Sequence, residues 1–230
     1  HFKQLFAVMQ ALGVDMELEH VAFGAILGED RQVLRTRGGA GITLLSLLEE
    51  AESRALTVMK DMAHLRVSED ELERVASAVG IGAVKYADLR QNRMSDYQFE
   101  WDKMISFSGN SGPYLQYALA RCYSIFREGS IDWEGYTADV LADHESEKAL
   151  IRVLVRFADV VHRAAETSQP HLICEHLYAL ARAFSGFFRD CRVLDSEGAT
   201  RASRLGLVAA TGRQLARGLS LLGIQRVERM

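Results

Sequence analysis

Apolar residues recur three and four positions apart along most of this chain, which is the spacing of one face of an α-helix. A proline inside a helix would interrupt it, and the chain has two prolines, Pro113 and Pro170, each at the start of a helical pattern. The sequence therefore predicts a mainly α-helical protein. The predicted helices cover residues 2–12, 43–62, 68–80 with a continuation to 89, 110–127, 146–161, 170–192 and 200–222.

Three shorter stretches have the pattern of strands. Residues 19–27 form a mostly apolar run with β-branched and aromatic members, which predicts a buried strand of a parallel sheet covered by helices. Residues 32–36 predict a short second strand, and the alternation of Tyr97, Phe99 and Trp101 predicts a third, half-buried one. The order of these patterns indicates an α/β part followed by an antiparallel helix bundle.

Capping residues predict where several helices begin and end. Ser68-Glu-Asp-Glu71 has the sequence of a capping box, and Gly80 predicts the end of the helix that it opens. Gly80 and Gly82 are also small enough to allow either close packing of helices or a sharp bend. Ser146 and Thr200 are the predicted N-caps of two later helices.

The predicted helix 110–127 has two distinct faces. One is apolar, whereas Tyr114, Tyr117 and Arg121 lie together on the other, three and four residues apart. Flat rings and a guanidinium are the groups that stack on unpaired bases and bind phosphate. The same spacing also suits half-buried tyrosines beside a solvated arginine, and spacing alone favours this second interpretation.

Arginine is concentrated at the C-terminal end of the chain. From residue 181 onward there are nine arginines and four acidic residues, although the net charge of the whole chain is −4. Arginine suits bidentate phosphate contacts, but a genome rich in G and C would favour arginine codons as well. Arg201, Arg204, Arg213 and Arg217 are predicted on the outer side of helix 200–222, as a candidate contact with a nucleic-acid backbone.

Other features concern the class of protein. Cys122, Cys174 and Cys191 are widely spaced, which suits reduced thiols of a cytosolic protein and neither a disulfide framework nor a zinc site. No apolar run approaches a membrane span, and no signal peptide is recognised.

The chain starts at His1 inside an amphipathic pattern, and we therefore expect a fragment of a longer protein. The glycine-rich stretch at 35–41 suits a phosphate-binding loop or a surface hairpin.

Several long blocks resemble arginyl-tRNA synthetase, a class I aminoacyl-tRNA synthetase. They include VGIGAVKYADLRQNRMSDYQFEWDKMISF at 79–107 and SGNSGPYLQYALARCYSIFR at 108–127. In that family a Gly-Asn-x-x-Pro-Tyr-x-Gln-Tyr helix opens the anticodon-binding domain. Residues 147–152, EKALIR, resemble the DALR signature with Lys148 in place of the aspartate.

The resemblance implies a domain organisation and a function. Residues 1–55 would be the C-terminal edge of a Rossmann-type catalytic domain, 56–111 a connecting helical region, and 112–230 a helix-bundle anticodon-binding domain. The enzyme would ligate L-arginine to its tRNA through arginyl-adenylate, with ATP and its Mg²⁺ as substrate. It would be a cytoplasmic monomer that binds no membrane. The alternative is a non-catalytic helical RNA-binding or assembly module derived from a synthetase.

The resemblance also implies site residues, none of them a metal ligand. Adenine would lie near His20, Val21, Phe23 and Gly24. Arg35, Thr36 and Arg37 would belong to the loop that stands in for the class I KMSKS motif, with Thr36 where the second lysine belongs. Cations there would stabilise the negative charge that develops on the leaving pyrophosphate. The implied tRNA-binding residues are Tyr114, Gln116, Tyr117, Arg121, Arg201, Arg204, Arg229 and Met230.

The sequence of this chain contains no HIGH-type motif. In the family that it resembles, this motif lies upstream together with most arginine-binding residues. We therefore predict that the chain alone neither adenylates arginine nor charges tRNA. Arginylation of tRNA by the purified chain would be measured with ATP and labelled arginine. Activity above the background without protein would contradict this prediction.

Overall fold

A computed structural model describes residues 1–28, 43–62 and 67–230 of the chain. It confirms the prediction of a mainly helical protein, and its described residues include a small two-stranded sheet. The elements in chain order are α1 (Phe2–Ala11), β1 (Ile26–Leu27), α2 (Leu44–Lys60), α3 (Glu69–Leu89), β2 (Tyr97–Gln98), α4 (Trp101–Met104), α5 (Gly112–Glu128), α6 (Glu145–Leu154), α7 (Phe157–Thr167), α8 (His171–Asp190) and α9 (Gly198–Leu221).

The predicted buried strand at 19–27 is wrong in its length and its burial. Strand β1 is two residues long and pairs in parallel with β2, so that Ile26 lies opposite Tyr97 and Leu27 opposite Gln98. Phe23 leaves 84% of its surface exposed. Apolar composition alone does not make a strand, because each strand residue also needs a neighbour for its backbone hydrogen bonds. The strand predicted at 32–36 lies outside the described residues.

The third predicted strand is confirmed only at its start. Strand β2 ends at Gln98, and Trp101 is the first residue of α4. The rings of Phe99 and Trp101 meet edge to face, with their centroids 4.8 Å apart. Both rings pack against the buried residues of α2 and α3, as expected for core aromatics.

Helix α3 packs against α2 and α5 at glycine positions. A Cβ atom on Gly80 would lie 2.6 Å from the backbone carbonyl of Ala51 in α2. A Cβ on Gly112, at the start of α5, would lie 2.8 Å from the carbonyl oxygen of Gly82. The prediction that Gly80 ends a helix is therefore wrong, since α3 continues to Leu89. The prediction of close helix packing at Gly80 and Gly82 is confirmed.

Two hydrophobic clusters meet at α3. The larger contains the apolar sides of α5, α8 and α9 with parts of α6 and α7, and the smaller contains α2, much of α3 and the end of the chain. Tyr86 of α3 has no exposed surface, and its hydroxyl donates to Asn110 Oδ1 (2.6 Å). It also lies 3.1 Å from the carbonyl oxygen of Cys174 in α8. Helix α3 is thus bound to both clusters.

Several predicted helix ends are corrected. Ser68 is the N-cap of α3, but its hydroxyl contacts the Glu71 carboxylate at 3.1 Å and no capping box forms. Helix α6 begins after His144, whose ring nitrogen accepts from the Ser146 N–H, so Ser146 is not the cap. Helix α9 begins after Glu197, which places Thr200 inside the first turn. The single helix predicted at 146–161 is divided into α6 and α7.

The close approach at Gly80 generates a stability prediction. Gly80→Ala would force α2 and α3 apart, with an overpacking cost of about 2–3 kcal/mol that exceeds the gain of about 1 kcal/mol in helix propensity. Gly186→Ala is the matched control, because Gly186 lies within α8 and a Cβ there would meet nothing within 4 Å. Urea unfolding should show a lower midpoint for Gly80→Ala and an equal or higher one for Gly186→Ala. Equal stability of the two variants would contradict this account of the helix crossing.

Candidate nucleic-acid interface

The start of α5 orients its polar face. Ser111 is the N-cap and accepts a hydrogen bond from the N–H of Tyr114 (3.3 Å), while Pro113 occupies the first turn, where it leaves no donor unsatisfied. The residues on the apolar face of this helix are all buried; they are Leu115, Ala118, Leu119, Cys122, Ile125 and Phe126. Because that side is buried, Tyr114, Tyr117 and Arg121 lie half-buried at the surface. Both faces that the sequence predicts for this helix are therefore present.

Arg121 lies between aromatic rings from two helices. Its guanidinium carbon is 4.9 Å from the centroid of Tyr117 and 5.1 Å from that of Phe188 in α8. Nη2 also donates to the Tyr117 hydroxyl at 2.9 Å. Phe187 has no exposed surface, whereas Phe188 is 40% exposed, so these two adjacent rings face the core and the surface respectively. A stacked guanidinium keeps a planar face and donors available to a partner.

Helix α8 adds two residues that the sequence analysis missed. Tyr178 meets Tyr114 edge to face, with centroids 5.9 Å apart, and Arg182 lies over the Tyr178 ring at 5.8 Å. Tyr178 and Arg182 are four residues apart, the same spacing as Tyr117 and Arg121. That repeated spacing is a signal that could have identified them. We call the resulting surface the aromatic–arginine face; its residues are Tyr114, Tyr117, Arg121, Tyr178, Arg182 and Phe188.

Gln116 lies on a different side of α5 and has no exposed surface. Its amide nitrogen donates to the carbonyl of Ala78 in α3 (3.1 Å) and to that of Gln225 in the C-terminal segment (2.8 Å). In this structure its side chain joins three parts of the chain and presents no surface to a ligand. Gln116 therefore makes structural contacts here, and the tRNA contact implied for it stays a prediction.

The C-terminal segment 223–230 packs on α3 and α5. Every third residue, Ile224, Val227 and Met230, is buried. The carbonyl of Gly223 accepts from Lys85 Nζ (2.6 Å), and that of Glu228 accepts from Arg127 Nη1 (3.0 Å). The side chain of Met230 is thus part of the smaller hydrophobic cluster, and the tRNA contact implied for it stays a prediction.

Arg229 is exposed beside a shallow cavity of about 370 Å³. The cavity lies between the C-terminal segment and α3, and it is lined by Glu71 and Arg74 among others. Of the two terminal residues implied to contact tRNA, Arg229 is therefore the one at the surface.

Of the four arginines predicted on the outer side of α9, one does not point outward. Arg204 is the exception, since its side chain is 18% exposed and its Nε lies 2.8 Å from Glu147 Oε1. Its Nη1 also donates to the carbonyl of Arg192 (2.9 Å). Because the buried Glu147 carboxylate and the Arg192 carbonyl engage its guanidinium, the prediction of an outward Arg204 is wrong. Arg201 is half-buried, and Arg217 is exposed.

Glu147, the partner of Arg204, is almost completely buried and lies in the first turn of helix α6. Its second carboxylate oxygen accepts from the backbone N–H groups of Asp143 (3.0 Å) and His144 (2.9 Å). Burial by itself would raise the pKa of the Glu147 carboxyl, but these hydrogen bonds and the Arg204 guanidinium lower it below its ordinary value. Glu147 is therefore a charged structural anchor between α6 and α9.

The residues implied to contact adenine lie next to β1. The ring of His20 stacks on that of Phe2 with centroids 4.0 Å apart, and Val21 is exposed. Gly24 donates its N–H to the carbonyl of Arg93 (2.6 Å), and a Cβ there would lie 2.5 Å from the backbone of Ser95. The chain thus requires glycine at position 24.

Arg35, Thr36 and Arg37 of the implied KMSKS-like loop lie outside the described residues. Within residues 1–28, 43–62 and 67–230, no group of three or more His, Cys, Asp and Glu side chains could hold a metal ion. Within the same ranges, no helix is both long enough and apolar enough to cross a bilayer.

Two known families match the sequence. Residues 115–230 match the DALR anticodon binding domain. Residues 1–101 match the family described as tRNA synthetases class I (R), catalytic domain. The first match includes α8 and residues 115–128 of α5, and thus every residue of the aromatic–arginine face except Tyr114. The second includes β1 and the segment beside it.

Individual relatives agree with these matches. The chain is 45% identical to an arginine–tRNA ligase of Laribacter hongkongensis and 43% identical to one of Proteus mirabilis, in each case over the whole chain and 40% of the relative. Among solved structures, arginyl-tRNA synthetase of Thermus thermophilus has a TM-score of 0.79 and 32% identity, over 92% of this chain and 35% of that one. The chain thus spans about two fifths of the length of the curated relatives it matches.

The Glu147–Arg204 pair generates a pH-dependent prediction. Glu147→Gln would remove the anionic partner of Arg204 and cost about 1–3 kcal/mol of stability at pH 7. A carboxyl whose folded pKa is lowered stabilises the fold above its unfolded pKa, near 4.5, and loses that contribution as the pH falls through the folded value. The stability difference between wild type and variant should therefore shrink below about pH 4.5.

Glu145→Gln is the control, because Glu145 lies in the same helix turn but its side chain is exposed and pairs with Lys148. Thermal unfolding between pH 3.5 and 7 measures both variants. An equal loss in Glu145→Gln, or a Glu147→Gln deficit that is independent of pH, would contradict the assignment.

Proposed function

The chain belongs to the arginyl-tRNA synthetase family, and from that premise we propose that it works within an enzyme that joins L-arginine to its tRNA with ATP. We call the polypeptide of the relatives' length the full-length ligase. Its reaction would form arginyl-adenylate and then transfer arginine to a terminal ribose hydroxyl of tRNA. The alternative of a non-catalytic module is not favoured, since residues 1–101 match a catalytic domain.

We propose the domain division 1–55, 56–111 and 112–230. In this division the first part is the C-terminal edge of the Rossmann-type catalytic domain, and the parallel pairing of β1 with β2 supports it. The middle part connects the domains through α3. Helices α5 to α9 form an antiparallel bundle that binds the anticodon, in support of which the DALR match begins at residue 115.

The observation that carries the RNA-binding part of the proposal is the aromatic–arginine face. It combines exposed ring surface from two helices with two guanidinium groups stacked on those rings. Anticodon-loop bases are unpaired and can be splayed onto such rings, with about 1–3 kcal/mol for each stacked base. Tyr114, Tyr117 and Arg121 are the proposed base-contacting residues on α5, and Phe188 joins them from α8.

Burial raises the pKa of the Tyr114 hydroxyl, so this group stays protonated at neutral pH and keeps a donor. We propose phosphate contacts from Arg201, Arg217 and Arg229, which have side chains at the surface. Arg204, Gln116 and Met230 would hold α9, α5 and the C-terminal segment in place.

The nucleotide-binding part of the proposal concerns the segment before β1. His20, Val21, Phe23 and Gly24 would lie against adenine. Arg35, Thr36 and Arg37 would lie near the phosphates, with Mg²⁺ arriving as part of the ATP substrate. The exposed ring of Phe23 and the stacked ring of His20 are surfaces suited to a planar base. We propose a cytoplasmic monomer as the working form.

A pair of matched variants tests the aromatic–arginine face. Arg121 and Arg54 each lie 4.9 Å from the centroid of an aromatic ring, but Arg54 stacks on Trp101, outside the face. In the full-length ligase, Arg121→Gln should weaken binding of the tRNA for arginine roughly tenfold and reduce the salt dependence by about one counterion. Arg54→Gln should leave both quantities unchanged.

Fluorescence titration of tRNA at several salt concentrations gives the affinity and its salt dependence, and arginylation with saturating tRNA is measured in parallel. Equal effects of the two substitutions would assign Arg121 to packing. Absence of arginylation by the unsubstituted full-length ligase would contradict the proposed activity itself.

A further inference from the structure

Arg93 contacts two distant parts of the chain with one guanidinium group. It lies between α3 and β2 and is half-buried. Its Nη1 donates to the carbonyl of Ala22 at 2.6 Å, and its Nε donates to the carbonyl of Ser168 at 2.9 Å. These acceptors are 71 and 75 residues away in sequence. The side chain therefore forms a bridge between the segment before β1 and the C-terminal helices.

The first acceptor lies within the segment proposed to bind adenine. Ala22 stands between Val21 and Phe23. The N–H of Gly24 donates to the backbone carbonyl of Arg93 itself (2.6 Å). The N–H of Ala25 donates to Asp96 Oδ1 (2.6 Å). The Arg93 residue thus holds this segment through its backbone and its side chain at once.

The second acceptor lies at the turn between α7 and α8. Ser168 has a left-handed backbone, with φ of 52° and ψ of 42°, and it is the C-cap of α7. Helix α8 starts at His171, three residues later, and carries Tyr178, Arg182 and Phe188 of the aromatic–arginine face. The Ser168 carbonyl, which Arg93 holds, therefore lies just before the helix that supplies half of that face.

Arginine suits this bridge better than any other side chain. Its donors are spread over a rigid planar fork, so that Nε and Nη1 reach two separate carbonyls at fixed geometry. The single nitrogen of lysine is a point donor on a flexible stem and would satisfy one carbonyl more readily than both. A charged donor also strengthens both hydrogen bonds.

We propose that Arg93 is a positioning residue that couples the adenine-binding segment to the tRNA-binding helix α8; this inference rests on the proposed function. Any displacement of the α7–α8 turn when RNA binds would reach the Ala22 carbonyl through one side chain. Seating of tRNA on the aromatic–arginine face would then order the segment that holds ATP. Arg93 itself contacts neither substrate.

The test uses Arg93→Ala and Arg93→Lys in the full-length ligase, with Arg163→Ala as the control. Arg163 is an exposed arginine on α7, close to the same turn. Arg93→Ala should raise the KM for ATP at saturating tRNA about tenfold, as expected for loss of charge-assisted hydrogen bonds. Because coupling between two ligands is reciprocal, the KM for tRNA at saturating ATP should rise by a similar factor. Arg93→Lys should give an intermediate KM for ATP, and Arg163→Ala should match wild type.

Hydrogen exchange provides a readout that a purely structural role would not change. In wild type, saturating tRNA should slow amide exchange in residues 22–27, and in Arg93→Ala this protection should be lost although tRNA is still bound. If Arg93→Ala does not fold, as judged by circular dichroism, Arg93→Lys carries the same comparison. Retained protection, or an unchanged KM for ATP in both variants, would overturn the coupling.

Failure of the proposed function has a different signature. A wild-type ligase that consumes no ATP in the presence of arginine and tRNA would contradict the proposed activity before any variant is compared. An active wild type with an equally active and equally protected Arg93→Ala would contradict the coupling alone.

Discussion

The close approach of α3 to its neighbours is the constraint on which the rest of the structure depends. Gly80 brings its backbone against Ala51 of α2, and Gly82 lies against Gly112 at the start of α5. Side chains at these positions would hold the helices apart. Since α5 begins at this crossing, the contact also sets the direction in which its exposed face points. The fold thus places the proposed RNA-binding surface by a backbone contact some distance from it.

Residue spacing in the sequence correctly predicted features that depend only on neighbouring residues, such as the faces of helices. The apolar face of α5 and its start near Pro113 are both present, because helical spacing fixes which side chains share a side and proline suits a first helical turn. The helix end predicted at Gly80 and the strand predicted at 19–27 failed for a different reason. Both depend on tertiary neighbours, namely the backbone of α2 in one case and a pairing strand in the other.

In the candidate site, too, features within one helix were predicted and contacts between helices were not. Tyr117 and Arg121 were found from their spacing on one helix, whereas Tyr178 and Arg182 contribute from a second helix that periodicity alone did not place beside the first. The resemblance to the family implied which residues contact RNA, but it did not predict which of their side chains are buried. Arg204 therefore appeared as an RNA contact although Glu147 engages it inside the protein.

We propose that the helical part of this chain reads the anticodon of the tRNA for arginine. Binding of this tRNA to the chain should be measured over a series of salt concentrations, beside the same tRNA with an altered anticodon. The account predicts tighter binding of the native anticodon at every salt concentration, with affinity for both RNAs falling as salt increases. Equal affinity for the two RNAs would contradict it, and would identify the surface as a general phosphate-binding one.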